Sequence, residues 1–185
     1  MLAGARATFA EHGYAGASIR EIAGRAGVDP ALVLQFFGSK DELFAAAMEL
    51  PFDSSEAVEA IVSGPRAGIG RRIVMTFLRL WDDPAIGPQM VALVRSATTN
   101  EAAARRLREL VDGQLLGPVA EALGVPDGRL RAQAAGSHLV GLGFGRYIVR
   151  LEPLASASAE EIARLVAPAV QRYLTLPASG GSGRS

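Results

Sequence analysis

Apolar residues recur every three or four positions along most of the chain, and no stretch alternates with a period of two between hairpin turns, so the pattern predicts helices throughout. Breakers punctuate it at Gly13 and Gly16, Gly27 to Pro30, Gly38, Pro51, Gly64 and Pro65, Pro84, Gly87 and Pro88, Gly124 to Gly128, and Pro153. Cutting there leaves about nine or ten helices. The first are short and crowded into residues 2–49, whereas those near 66–82, 89–99, 101–122, 127–151 and 158–174 are longer. This contrast predicts a small domain over residues 1–50 and a larger helical one over 51–176. Residues 177–185 have the composition of a linker and are expected to be disordered.

The sharpest local signals lie in the small region. Ser18 and Glu21 form a capping box that starts a helix, Ile19, Ile22, Ala23 and Ala26 give it an apolar stripe, and Gly27 ends it with Val28 plugging the core. Asp29 and Pro30 restart the chain, Asp as N-cap and Pro at the first helical position, and the second helix runs to about Phe37. Gly38 stops it, and a further box, Ser39 with Glu42, launches a helix carrying Leu43, Phe44 and Ala47 on one face. Helix, tight turn and short helix form the helix-turn-helix arrangement, whose second helix fits a major groove while helix N-termini and flanking donors grip phosphates. Phe9, Ile22, Val28, Val33, Phe37 and Phe44 are core by periodicity.

Composition narrows the alternatives. With 185 residues, 49% hydrophobic and 21% charged, the chain can bury a real core. It contains no Cys and only His12 and His138, so thiolate and all-histidine metal sites are excluded; no metal or cofactor is expected. Neither a membrane span nor a secretory signal stands out, which makes the cytosol the default location. The 19 basic and 19 acidic residues cancel, so whole-chain charge lends no support to nucleic-acid binding. Gly141 to Gly145 superficially suggests a nucleotide loop, but the third glycine comes a position too early and no strand precedes it. No nucleophile–base pair or supported carboxylate pair appears, so an enzyme is not expected.

Taken together, Phe9-Ala-Glu-His-Gly-Tyr14, Ser18-Ile-Arg-Glu-Ile-Ala23, Ala26-Gly-Val28 and Phe36-Phe-Gly-Ser-Lys40 with Leu43 and Phe44 resemble the tetracycline-repressor (TetR) family of bacterial transcriptional regulators. Asp29-Pro-Ala-Leu-Val33 and Arg146-Tyr-Ile-Val-Arg-Leu-Glu-Pro153 resemble, more loosely, an actinobacterial-type subgroup. The resemblance implies an all-α homodimer, with an N-terminal helix-turn-helix domain on a pseudo-palindromic double-stranded DNA operator and a C-terminal ligand-binding and dimerisation domain. It further implies repression relieved by a small-molecule effector.

Carried over by position, Asp29, Pro30, Ala31, Leu32, Leu34 and Gln35 face DNA, with Gln35 the base reader through adenine N6 and N7. Ser18, Arg20 and Lys40 match backbone-gripping positions, Lys40 most strongly, with a helix cap and solvated charge the alternatives, and Phe36 falls between core edge and phosphate rim. Phe77, Trp81, Met90, Leu93 and Val94 correspond to the effector cavity, with plain core the alternative for each. The dimer seam would use His138, Gly141, Gly145, Ile162, Leu165, Val166, Ala169, Val170 and Tyr173, with intrachain packing the alternative. Pro168 within that last pattern predicts a kink or break.

Two departures stand out. Position 34 is Leu where many relatives place Tyr, removing a phosphate-bonding hydroxyl. Residues 1–50 hold four bases (Arg6, Arg20, Arg25, Lys40) against six acids (Glu11, Glu21, Asp29, Asp41, Glu42, Glu49), a balance of minus two that disfavours a polyanion. Because Leu2, Ala5 and Phe9 already read as the middle of an amphipathic helix, a basic arm upstream of Met1 is expected. The competing expectation is a small-molecule-binding protein of the same fold that has lost specific DNA binding.

Overall fold

The computed structural model describes residues 1–49 and 52–175, and every regular element among them is helical. The expected disordered tail lies outside the described residues. In chain order the helices are α1 (Leu2–Gly16), α2 (Ile19–Ala26), α3 (Pro30–Phe37), α4 (Lys40–Ala47), α5 (Ser54–Val62), α6 (Ile69–Asp82), α7 (Gly87–Ser96), α8 (Glu101–Arg108), α9 (Leu116–Leu123), α10 (Gly128–Gly143) and α11 (Ala159–Thr175). Among the described residues no helix is long and apolar enough to cross a membrane.

The caps act where the sequence places them. Ser18, Asp29 and Ser39 accept hydrogen bonds from the amides of Glu21, Ala31 and Glu42, and Gly27 ends α2 in the left-handed region at φ 66°. The first box is only half made, because the Glu21 carboxylate turns to His12 Nε2 at 2.8 Å. A reciprocal box that the sequence reading passed over starts α11: the Ser158 amide donates to Glu161 Oε2 at 2.9 Å and the Glu161 amide to Ser158 Oγ at 3.3 Å.

Buried side chains form two clusters. The first contains Phe9, Ile22, Val33, Leu43 and Phe44, then passes across the boundary expected near residue 50 into Trp81 and, on α7, Met90 and Leu93. Val28 and Phe37 are only partly buried against it. The second cluster gathers α5, α6, α9, α10 and α11 around Ile73, Leu78, Leu139, Ile162 and Val170. Between α1 and α7 the contact is also polar: Ser96 Oγ accepts from the Tyr14 amide at 2.9 Å, and Arg95 donates to the carbonyls of Ala10 and Glu11.

Three expectations are corrected. The helix expected over 101–122 is α8 and α9 joined by a π-helical segment, Glu109–Leu115, and that over 127–151 ends in another, Phe144–Val149. Each π turn shifts the apolar face by part of a turn, which a constant 3.6-residue period does not anticipate. The chain does not break at Pro168: α11 runs unbroken to Thr175, with Ile162 and Ala163 before the ring and Val170 and Leu174 after it buried, so packing on both sides offsets the lost amide bond. Finally, Ile162 and Val170 are about fully buried and Gly145 is buried too, so these residues pack inside the chain and offer no surface to a partner. Of the expected seam, Gly141 and Leu165 are exposed while His138, Val166, Ala169 and Tyr173 are half-buried.

Candidate nucleic-acid interface

The outward face of α3 follows from how the helix is seated. Val33 is fully buried, and the exposed side chains are Ala31, Leu34, Gln35 and Phe36, with Pro30 and Leu32 half-buried. Asp29 is exposed but spends its carboxylate on the Ala31 amide at 2.7 Å. Around this face Ser18 caps α2, Arg20 stands exposed one residue into that helix, and Lys40 stands at the first position of α4. The Lys40 ammonium lies 4.4 Å from the Tyr14 ring centre, which fixes the charge near the N-termini of α2 and α4. Neither Arg20 nor Lys40 makes an ion pair among the described residues. The other two bases are engaged within the chain: Arg6 Nε donates to the Ala47 carbonyl at 3.1 Å, and the exposed Arg25 pairs with Glu11.

Most of the acids are partnered locally, which leaves the net balance of this region at minus two. Glu11 is held by Arg25, Glu21 by His12, Asp29 by its cap, Asp41 accepts from the Tyr14 hydroxyl, and Glu42 accepts from Ser39 Oγ. Bases beyond α4 are not counted in that balance, yet Arg95 also reaches this half through the end of α1.

Tyr14 is wedged between rings, 6.1 Å from Phe9 and 5.3 Å from Phe44, and burial with the bond to Asp41 pushes its phenol up to about 12. Tyr147 stacks on Trp81 at 4.9 Å and is likewise raised to about 12, by burial and by its bond to Asp82 against a smaller opposing effect of Arg146. A phenol raised above its ordinary value of 10.0 supports the fold fully below that pH and ceases to do so as pH climbs through about 12. Stability is therefore expected to hold up to pH 10 and fall between about 10 and 12. Absorbance titration should find two late-ionising phenols, one lost in Tyr14→Phe and one in Tyr147→Phe; ionisation of all three tyrosines near pH 10 in the folded protein would contradict this.

In the larger region Phe77, Trp81, Met90 and Val94 line an apolar cavity of about 60 Å³. Leu93 does not line it and lies in the first core. The sequence reading missed the rest of the wall, which includes Ile73 and Thr76 on α6, Leu110 and Val111 in the first π-helical segment, and Gly136 and Val140 on α10. Trp81 is pinned by Phe77 at 5.4 Å, by Tyr147, and by the close approach of Gly143, and its indole N–H is buried with no acceptor among the described residues.

Residues 1–47 match the family profile described as bacterial regulatory proteins, tetR family, and residues 67–174 match the tetracyclin repressor-like C-terminal domain. The chain belongs to the TetR family. It is a transcriptional regulator of that family, and the relatives it resembles are named as regulators and not as enzymes. It is 30% identical over 130 residues to the HTH-type transcriptional repressor SCO4008 of Streptomyces coelicolor, a match covering 65% of this chain and 66% of that repressor. Among solved structures, a TetR-family regulator from Streptomyces coelicolor shares 39% identity with a TM-score of 0.62, covering 94% of this chain and 91% of the other. A transcriptional regulator from a Rhodococcus species shares 27% with a TM-score of 0.65, covering 94% and 93%. The TetR fold is thus common to the whole described chain.

Proposed function

We propose that this TetR-family regulator is a homodimeric repressor whose residues 1–50 bind a pseudo-palindromic operator and whose residues 51–176 pair the subunits and bind a small-molecule effector that releases the DNA. The observation that carries the reading is α3 itself: it is capped at both ends, anchored by Val33, and keeps Gln35 and its neighbours outward, with Arg20 and Lys40 on the adjoining helices outside any ion pair among the described residues. That geometry suits a helix lying in a major groove with phosphates gripped at its flanks. Pairing of two copies is supported by the outer side of α10 and α11, where Leu130 and Leu165 are about two-thirds exposed and the His138 and Tyr173 rings meet edge-on at 6.0 Å. The cavity supports an effector of largely apolar character, and it must swell from about 60 Å³ to admit one.

Fluorescence anisotropy against the DNA upstream of its own gene, across a salt series, tests the reading. Two cations from each subunit give an expected slope of log affinity on log salt of about −3.6. Lys40→Ala should lower the magnitude to about 1.8, weakening binding similarly for all sequences. A regulator of this fold that has lost DNA binding would show no specific complex at any salt, and the repressor reading would then fail.

A further inference from the structure

The outward face of α3 is almost devoid of hydrogen-bonding groups. Of its exposed side chains, Ala31, Leu34, Gln35 and Phe36, only Gln35 can donate or accept. Leu34 is 44% and Phe36 67% exposed, and they are the large apolar side chains left exposed among residues 1–49. Neither is needed by the core, which Val33 fills from the same helix. With 100° between successive residues, Ala31 and Gln35 point away from Val33 and Leu34 stands beside them, while Phe36 lies only about 60° from Val33 and exposes its ring at the rim of that face. A groove occupied by this helix is therefore met by the Gln35 amide with the Leu34 hydrocarbon beside it.

Such a face has no donor fork for guanine, and no acceptor besides the Gln35 amide for cytosine. The apolar feature that the base edges of the major groove do present is the 5-methyl group of thymine. We propose that the protein reads its operator mainly through thymine 5-methyl groups packed against Leu34, with Gln35 on a neighbouring adenine, so that A·T pairs form the core of each half-site. This rests on the DNA-binding reading above and adds the class of base that it recognises.

The test selects a binding sequence from a pool of randomised duplexes using the full chain, then remakes that duplex with deoxyuridine in place of thymidine. Only the 5-methyl groups change. Affinity should fall about fourfold for each methyl group lost from contact, hence about 15-fold when each half-site loses one. Leu34→Ala should weaken binding to the thymidine duplex and bring the two duplexes closer together. Equal affinity of the unaltered protein for both duplexes, or selection of half-sites made of G·C pairs, would overturn the proposal while leaving the DNA-binding reading intact. Failure to enrich any sequence would overturn that reading and the proposal with it.

Discussion

Phe44→Ala should destabilise the protein by about 3–5 kcal/mol, the range for truncating a buried Phe. The ring is 1% exposed and meets Phe9 edge-on at 4.9 Å and Tyr14 edge-on at 5.3 Å, so its loss leaves two aromatic neighbours facing a void that helix caps prevent from collapsing. A domain stability of about 5–15 kcal/mol makes this a large fraction. Thermal unfolding should move down by roughly 10 °C or more. Because the first core continues through Leu93 and Met90 to Trp81, circular dichroism and Trp81 fluorescence should report the same shifted transition. Loss of helix with an unchanged Trp81 transition would show that the two regions unfold separately, against the shared core.

Gly70→Val should be of comparable size, about 3 kcal/mol or more, for the opposite reason. Gly70 is buried where α6 crosses α11; a Cβ there would run into the Ala167 carbonyl oxygen and lie 2.7 Å from the Gln171 amide nitrogen. The obstacle is backbone, which cannot rotate aside, and the Gly70 amide is itself held by Gln171 Oε1 at 2.8 Å. Gly24→Ala supplies the contrast, since nothing lies within 4 Å of its Cβ, and it should stabilise α2 by about 0.5–1 kcal/mol. Chemical denaturation of both variants checks the pair; a Gly70→Val protein as stable as the parent would show that α6 and α11 can separate freely.

These two sites also mark how far the sequence could be read. The first half was legible because its instructions are local: Ser18, Asp29 and Ser39 set helix starts and Gly27 and Gly38 set the stops, each acting within four residues. Phe44 follows from the same periodicity. Gly70 carries no comparable signal, because its meaning lies in Ala167 and Gln171, about a hundred positions away. The broad stripe on α11 misled for a related reason: Val170 at one edge of it and Ile162 near its middle face the core, while Leu165 at the other edge faces out, and periodicity cannot divide so wide a band. The cavity was half visible, since Phe77, Trp81, Met90 and Val94 lie on regular helices, whereas Leu110 and Val111 reach it from a π-helical segment.

Helix α7 turns Met90 and Val94 to the cavity and, through Arg95 and Ser96, holds the end of α1. It is a party wall with a tenant on each side. A molecule that pushes the wall to make room does so against the same contacts that position α1, and thermodynamic reciprocity then runs both ways. On the proposed reading, whatever factor an effector takes from operator affinity, the operator takes from effector affinity, and a subunit seated on DNA would be a poorer receptor than a free one. The concentration of DNA sites would then be one of the quantities that sets the response threshold.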